Sequence, residues 1–328
     1  MALTGELVDP REPVPEWDRF LRRQRLPRAW DAGALATLAA PQRPWCGIVR
    51  DGGSVVAVFT GRYRGPGGRS PLAGCFECRV PFLPVPGFAF AADLDAADRR
   101  AAVAAFERAM VRQLGRRCLG IAYRQVHGGD LDAVRVRRRV RIGTSPLVWL
   151  ENRWTGLDAY FTWLPRRRRQ KFRQLHRRLS ADPDLEIEIG ARGIAEADAA
   201  EASRLAGLTA ARHQRLRAPA APPAAYLRAL SGQDGVLYLT YRDHDGRLLA
   251  FLLIFDDGAV LRCSVWGSLD PHGEGRPHIY FDHYVRLVAY AIEHGRSGVN
   301  LGKGMAEAKQ RFGGVLVPQH LVAGLPTR

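Results

Sequence analysis

At 328 residues the chain is long enough for two ordinary domains, and 46% hydrophobic with 25% charged residues is a globular balance that excludes a disordered or fibrous protein. No apolar run approaches a membrane span, and the N-terminus shows no basic start followed by an apolar core, so a cytoplasmic protein without a transmembrane segment is expected. The formal charge of +16 favours polyanionic partners, although the excess is almost all arginine in an alanine- and glycine-rich chain, and part of it reflects coding composition.

The five cysteines (Cys46, Cys75, Cys78, Cys118 and Cys263) are scattered and odd in number, which predicts reduced thiols. Cys75 and Cys78 have the spacing of a metal-ligand pair, but no second pair follows, so no metal site is assigned.

In chain order, residues 1–40 are punctuated by proline and read as partly helical, with Trp17, Phe20 and Leu21 as anchors. Residues 45–49 and 54–60 flank an Asp-Gly turn and predict a hairpin. A glycine- and arginine-rich loop is expected over 61–74, then an extended stretch over 79–85. Asp95 caps a helix that carries Val103, Phe106, Met110 and Leu114 on one face and stops at Gly115. A strand follows over 119–126. Residues 134–143 alternate apolar and basic side chains, which predicts a half-exposed strand with one basic face, and 145–151 form a further extended segment.

Residues 160–179 hold the densest charge run, with Arg166, Arg167, Arg168, Arg169, Lys171, Arg173, Arg177 and Arg178 and no acid between them. Leu164, Phe172, Leu175 and Leu179 mark an apolar stripe, so this is an amphipathic helix. Arg168 falls inside that stripe. Such a helix suits phosphate or nucleic acid, with Arg166, Arg169, Lys171 and Arg173 as contacts; it equally suits a solvated face. A strand at 185–190, a helix over 195–216, a proline-alanine segment at 219–223 and a short helix at 225–230 come next. Strands at 236–241, 248–255 and 259–268, joined by Asp-Gly turns, make an antiparallel meander.

The final stretch, 278–317, reads as helix, strand, glycine turn, short basic helix and strand. Phe281, Tyr284, Val285, Val288 and Ile292 recur at helical spacing up to Gly295. Beyond the strand at 299–301, Gly302 and Gly304 flank Lys303, and Lys309 and Arg311 follow. Basic side chains beside glycines that expose backbone N–H groups suit an anionic ligand, and an ordinary turn beside a solvated helix fits the same spacing.

This order of elements resembles the GCN5-related N-acetyltransferase (GNAT) superfamily and, within it, the FemAB-like group with its Fem-type peptidoglycan aminoacyltransferases. The likeness rests on the helix LPRRRRQKFRQLHRRL, on HIYFDHYVRLVAYAIEHG, and on LGKGMAEAKQRFGG, where Lys309 and Gly313 match the family's lysine and glycine four residues apart. It covers roughly residues 145–320 well, and the first half by element order alone.

The resemblance implies an α/β (α+β) fold of tandem GNAT-like domains, each a mixed, mostly antiparallel sheet flanked by helices. Residues 1–144 would be a scaffold domain, lacking the lysine–glycine element. Residues 145–328, including the basic helix 160–180, would be the acyltransferase domain. It further implies that the strands at 259–268 and 299–301 splay apart around the donor's acyl carbonyl and that an amine attacks this carbonyl directly. Lys309 would then contact the oxyanion or a donor phosphate, and Asp282 or His283 would handle the amine's proton. Arg168, Arg262, Tyr280, Lys303 and Arg311 would bind donor or substrate. Users of acetyl-coenzyme A carry a Q/R-x-x-G-x-G/A loop before the helix that follows the meander. Here that place reads HGEGRPHIYF, where Pro277 removes an amide and the glycine spacing differs.

Three readings follow. In the first, with no bound cofactor, an aminoacyl group passes from aminoacyl-tRNA to an amine of a cell-wall precursor or small metabolite, with tRNA as partner. In the second, acyl-coenzyme A (such as acetyl-coenzyme A) is the donor. In the third the chain is a non-catalytic nucleic-acid-binding protein.

Overall fold

The computed structural model describes residues 2–12, 14–39, 43–65, 74–136, 138–191, 194, 196–213 and 221–327. By its internal contacts the chain divides into two compact units, Met1–Pro146 together with Val317–Arg328, and Leu147–Leu316. The last residues therefore group with the N-terminal unit, where the sequence reading ran the second domain to residue 328.

The N-terminal unit opens with a strand that the sequence reading missed, β1 (Leu3–Val8), followed by α1 (Pro15–Arg23) and α2 (Ala32–Ala36). Trp17, Phe20 and Leu21 are buried, as expected, and the Trp17 Nε1–H donates to the Trp30 carbonyl at 2.9 Å. The hairpin is β2 (Trp45–Asp51) and β3 (Ser54–Arg64). The next strand is β4 (Gly74–Cys78), with β5 (Phe88–Phe90) beyond it. The extended stretch expected at 79–85 is instead the turn-rich link between these two strands. Residues 66–73 of the expected loop lie outside the described residues; of the rest, 61–64 belong to β3 and Gly74 to β4.

Helix α3 (Ala96–Leu114) starts where Asp95 accepts hydrogen bonds from the Ala97 and Asp98 amides at 2.8 Å, and stops at Gly115 with φ 67°. Strand β6 (Cys118–Val126) and the short α4 (Leu131–Val134) follow. The sheet order is β1-β2-β3-β4-β6, with β5 on β3; β4 and β6 are parallel and the other pairs antiparallel.

The expected basic-faced strand at 134–143 is corrected. Strand β7 (Arg139–Glu151) begins five residues later and runs on through 145–151 as one strand. The alternation is not realised there: Val140, Arg141 and Ile142 are all exposed, whereas the Arg139 side chain is buried against Glu107 at 2.5 Å. Tyr123 also donates to Glu107 at 2.5 Å, and a buried acid with these donors outweighs the apolar pattern. Arg137 lies outside the described residues.

The second unit takes over at Leu147, within β7. It contains α5 (Leu157–Trp163), α6 (Arg166–Ser180), β8 (Leu185–Gly190), α7 (Glu196–His213), α8 (Ala224–Leu230), the meander β9 (Val236–Asp243), β10 (Leu248–Asp256) and β11 (Val260–Ser268), then α9 (Ile279–Glu293), β12 (Gly298–Asn300) and α10 (Ala306–Gln310). Residues 214–216 of the expected longer helix and 219–220 of the proline-alanine segment lie outside the described residues. Strand β13 (Val315–Gly324) returns the chain to the first unit, where it pairs with β6.

Within this unit the strand order is β7-β12-β11-β10-β9-β8, antiparallel except for the parallel pair β11·β12. Strand β10 is buried over nearly its whole length because helices cover both faces at the sheet centre. Both units are thus mixed, mostly antiparallel sheets flanked by helices, the expected fold class. Among the described residues no helix is long and apolar enough to cross a membrane.

Candidate active site

The site forms where a parallel strand pair comes apart. Strands β11 and β12 are in register at Val260↔Gly298, Leu261↔Val299 and Arg262↔Asn300, and pairing stops there although β11 continues to Ser268. Two local features produce the opening. On one side, β11 carries a bulge opposite the Leu252–Ile254 stretch of β10, which bends it away. On the other, the chain after β12 stays on β7: Leu301 N–H donates to the Val148 carbonyl at 2.9 Å, and Val148 N–H to the Gly302 carbonyl at 3.1 Å. Gly302 has φ 75°, and its N–H donates to the Asn300 side-chain oxygen at 2.9 Å, which turns the chain sharply out of the strand.

The side chain at this opening is Lys309. It is 5% exposed, and its Nζ donates to the Lys303 carbonyl at 2.8 Å. Burial brings its pKa down to about 8, against a smaller opposing effect from the nearby Cys263 thiol. An ammonium kept in a poorly solvated place without a carboxylate is costly unless an anion joins it. Gly313 and Gly314 set the helix close to its neighbours: a Cβ on Gly313 would lie 2.4 Å from the Trp163 ring, and one on Gly314 2.4 Å from Val148. The lysine–glycine spacing thus has a packing cause.

Around Lys309 the walls are mostly aromatic. His283 is buried and stacks on Trp266, with ring centroids 4.5 Å apart. Tyr280 meets both rings edge-on, and the Tyr284 hydroxyl donates to the Tyr280 hydroxyl at 2.8 Å. His283 Nδ1 is buried without a hydrogen-bond partner among the described residues. Desolvation, reinforced by Lys309, holds its pKa well below the ordinary histidine value, so the ring is neutral near pH 7. Burial pushes the Cys263 thiol up to about 12, which leaves it protonated, packing as a small apolar group.

Asp282 takes a different part from the one expected. It is fully buried and accepts hydrogen bonds from Arg286 Nε at 2.5 Å, Tyr241 Oη at 3.0 Å and His176 Nδ1 at 2.9 Å. With three donors its carboxylate is not free to act as a base; it ties α6 and β9 to α9. The expectation of a proton-handling Asp282 is corrected on that ground. The Asp282–Arg286 spacing of four residues on one helix was visible in sequence, and His176 sits on the edge of the α6 apolar stripe. Tyr241 carried no such signal.

Arg262 is corrected as well: its guanidinium reaches back to Asp257 at 2.5 Å in the hairpin turn. Lys303 contributes its carbonyl to Lys309, and its side chain is half-buried. Arg311 is exposed. On α6, Leu164, Phe172, Leu175 and Leu179 are buried as expected, but Arg168 is exposed at the first turn and does not line the stripe. Arg173 bonds Asp158 at 2.7 Å and lies over the Phe161 ring, and Arg169 donates to the Thr162 carbonyl at 3.4 Å, so both have partners within the chain. Arg166, Arg167, Arg168, Lys171, Arg177 and Arg178 are exposed and make no side-chain hydrogen bond or ion pair among the described residues.

Residues 166–310 match the family model of the acetyltransferase (GNAT) domain. This segment is a GNAT acyltransferase domain. It holds α6, the meander, the opening between β11 and β12, and Lys309. No curated protein matches the chain. Among solved structures, L-PGS from Bacillus licheniformis is similar with a TM-score of 0.57 at 11% identity, over 83% of this chain and 82% of that one. FemX is similar with a TM-score of 0.56 at 12% identity, over 86% of this chain and 88% of that one. At such identities these two share the fold. The chain is an acyltransferase enzyme that draws on an acyl donor.

Proposed function

We propose that the enzyme transfers an aminoacyl group from aminoacyl-tRNA to an amine, on a cell-wall precursor or a small metabolite. The observation that carries this reading is the buried Lys309 at the mouth of the parted strands, with no carboxylate partner among the described residues. The donor's ester carbonyl would lie in that opening. A neutral acceptor amine attacks it, the carbonyl oxygen becomes an oxyanion held by the Lys309 ammonium, and collapse expels the ribose oxygen. With a pKa of about 8, Lys309 can pass a proton to that leaving oxygen near neutral pH and regain one from the amine nitrogen as the amide forms, so that a C–N bond replaces the C–O bond and one proton moves from nitrogen to oxygen. His283, neutral and with an unpartnered Nδ1, orients the amine as a hydrogen-bond acceptor, and Tyr280 closes the wall beside it.

The loop before α9 supports a donor other than coenzyme A. There the His272 amide donates to the Asp270 carboxylate at 3.1 Å, and the Gly273 and Gly275 amides to the Asp270 carbonyl at 3.1 and 2.8 Å. Amides spent on Asp270 cannot cradle a pyrophosphate. The exposed cations of α6 offer a track for an RNA backbone instead. One feature favours the thioester alternative: α9 begins without a side-chain cap, and Lys171 and Arg178 act electrostatically on His278 at its start, a place where a phosphate would be welcome.

The test is the absorbance ratio at 260 and 280 nm of protein purified at low salt, with thermal shifts against tRNA and acetyl-coenzyme A. Salt-released tRNA with no shift from the coenzyme supports the aminoacyl-tRNA reading. Clean protein stabilised by the coenzyme overturns it in favour of the thioester donor.

A further inference from the structure

The N-terminal unit carries its own concentration of positive charge, apart from anything acyl transfer uses. Phe76, Cys78, Ile121 and Tyr123 point into the core that α3 covers. Strand alternation therefore sends Glu77, Arg62 and Arg124 to the other face of the sheet. Glu77 is directly opposite Arg62 in the β3·β4 register. Its buried carboxylate accepts from Arg62 at 3.0 Å and from Arg124, with Arg64 3.8 Å away. Arg79, two residues along on the same face, is half-buried, and its guanidinium makes no hydrogen bond or ion pair among the described residues. Burial, together with Arg62, Arg124 and Arg64, depresses its pKa, with Glu77 opposing, so the four guanidiniums share one neighbourhood.

One carboxylate cannot balance four guanidiniums. Like charges held close on a rigid sheet repel one another, and the cluster is stable as drawn only at some cost. Arg64 and Arg124 have side chains 44% and 41% exposed, so part of the cluster opens to solvent. The segment between β3 and β4, residues 66–73, has no Asp or Glu in its sequence to supply the missing charge. Three of the guanidiniums, those of Arg62, Arg64 and Arg124, meet at the one Glu77 carboxylate, which suits a compact multivalent anion better than a polymer with spaced phosphates.

We propose that Arg64, Arg79 and Arg124, braced by Glu77 and Arg62, form a binding site for a phosphate or diphosphate group of a small ligand on the N-terminal unit. The guanidiniums donate paired hydrogen bonds to its oxygens, and Glu77 fixes their orientation from below. The site does not rest on the aminoacyl-tRNA reading.

The experiment is titration calorimetry of the full chain with inorganic phosphate and with pyrophosphate at low ionic strength. Wild type, Arg64→Gln, Arg124→Gln and Arg108→Gln are compared, the last an exposed arginine on α3 that makes the same change in net charge elsewhere. The expected result is saturable binding, tighter for pyrophosphate, weakened about tenfold or more in Arg64→Gln and Arg124→Gln and unchanged in Arg108→Gln. Arg64→Gln guards against misfolding, because that side chain is the most exposed of the cluster; its melting temperature without ligand should match wild type. Absence of saturable binding in wild type, or equal losses in all three variants, overturns the site. Binding of a short single-stranded RNA that depends on Arg124 and that pyrophosphate does not displace overturns the small-ligand assignment.

Discussion

Each unit contains a parallel strand pair joined through a helix, and the two pairs end differently. In the N-terminal unit β4 and β6 pair along the whole of β4, from Gly74↔Cys118 to Cys78↔Tyr123, with one register shift between Gly74 and Cys75. In the second unit β11 and β12 separate after Arg262↔Asn300, and a buried lysine stands at the gap. The first unit has no lysine anywhere in residues 1–146. The helices repeat the contrast in a subtler form. Glu107 on α3 and Asp282 on α9 are both fully buried acids held by an arginine and a tyrosine. Both serve the fold. The proposed chemistry therefore rests on the open strand edge and its lysine, and a buried acid on the crossing helix is common to both pairs.

The largest effect is expected from Lys309→Ala, which should lower transfer by about 100-fold or more if the ammonium holds the oxyanion. Its melting temperature should not fall much, since a poorly solvated charge is removed, and circular dichroism with steady-state kinetics checks both. Next, Asp282→Asn and Glu107→Gln should each destabilise by about 3–5 kcal/mol by orphaning buried arginine, measured by urea unfolding. Activity per folded molecule should stay within a few-fold of wild type in both. A selective loss of turnover in Asp282→Asn alone would return that residue to the chemistry.

A third expectation concerns pH. Lys309 is a cation below its folded pKa of about 8, so donor affinity should decline as pH rises through 8. Stability runs the other way: the unfolded chain binds this proton more readily, so the burial penalty is present below pH 8 and relieved as pH rises toward 10.5. Lys309→Met should remove both trends. A smaller change should come from Gly302→Ala, where φ 75° costs an L-residue about 1 kcal/mol and the new methyl would stand 3.8 Å from Lys309 Nζ. Smallest is Arg167→Gln with Arg168→Gln, which should leave stability within about 0.5 kcal/mol and reduce the salt slope of tRNA binding by about one per side chain.

Much of this was legible in the chain. The stripe 281–292, the Asp-Gly turns and the Asp95 cap are local signals, and each produced the element it predicts. Lys309 and Gly313 could be singled out because the resemblance carries a lysine and a glycine four residues apart; the structure puts Lys309 on α10 and Gly313 just past its end, against Trp163. What escaped depended on partners far apart in sequence. Asp282 reads in the sequence as an acid for the amine's proton because nothing in the chain announces that Tyr241 and His176 converge on it. Arg139 falls on the basic side of the alternation and is buried all the same, because Glu107, on another element, holds it. Arg173 was indistinguishable from its free neighbours until Asp158 and Phe161 were beside it.

The most direct measurement is filter binding of aminoacylated against deacylated tRNA, by wild type and Lys309→Ala. If the acyl group occupies the opening between β11 and β12, wild type holds the charged tRNA more tightly than the uncharged one, and the difference vanishes in Lys309→Ala while binding of uncharged tRNA persists. Equal affinity of wild type for both forms, or a preference that survives in Lys309→Ala, would contradict the account.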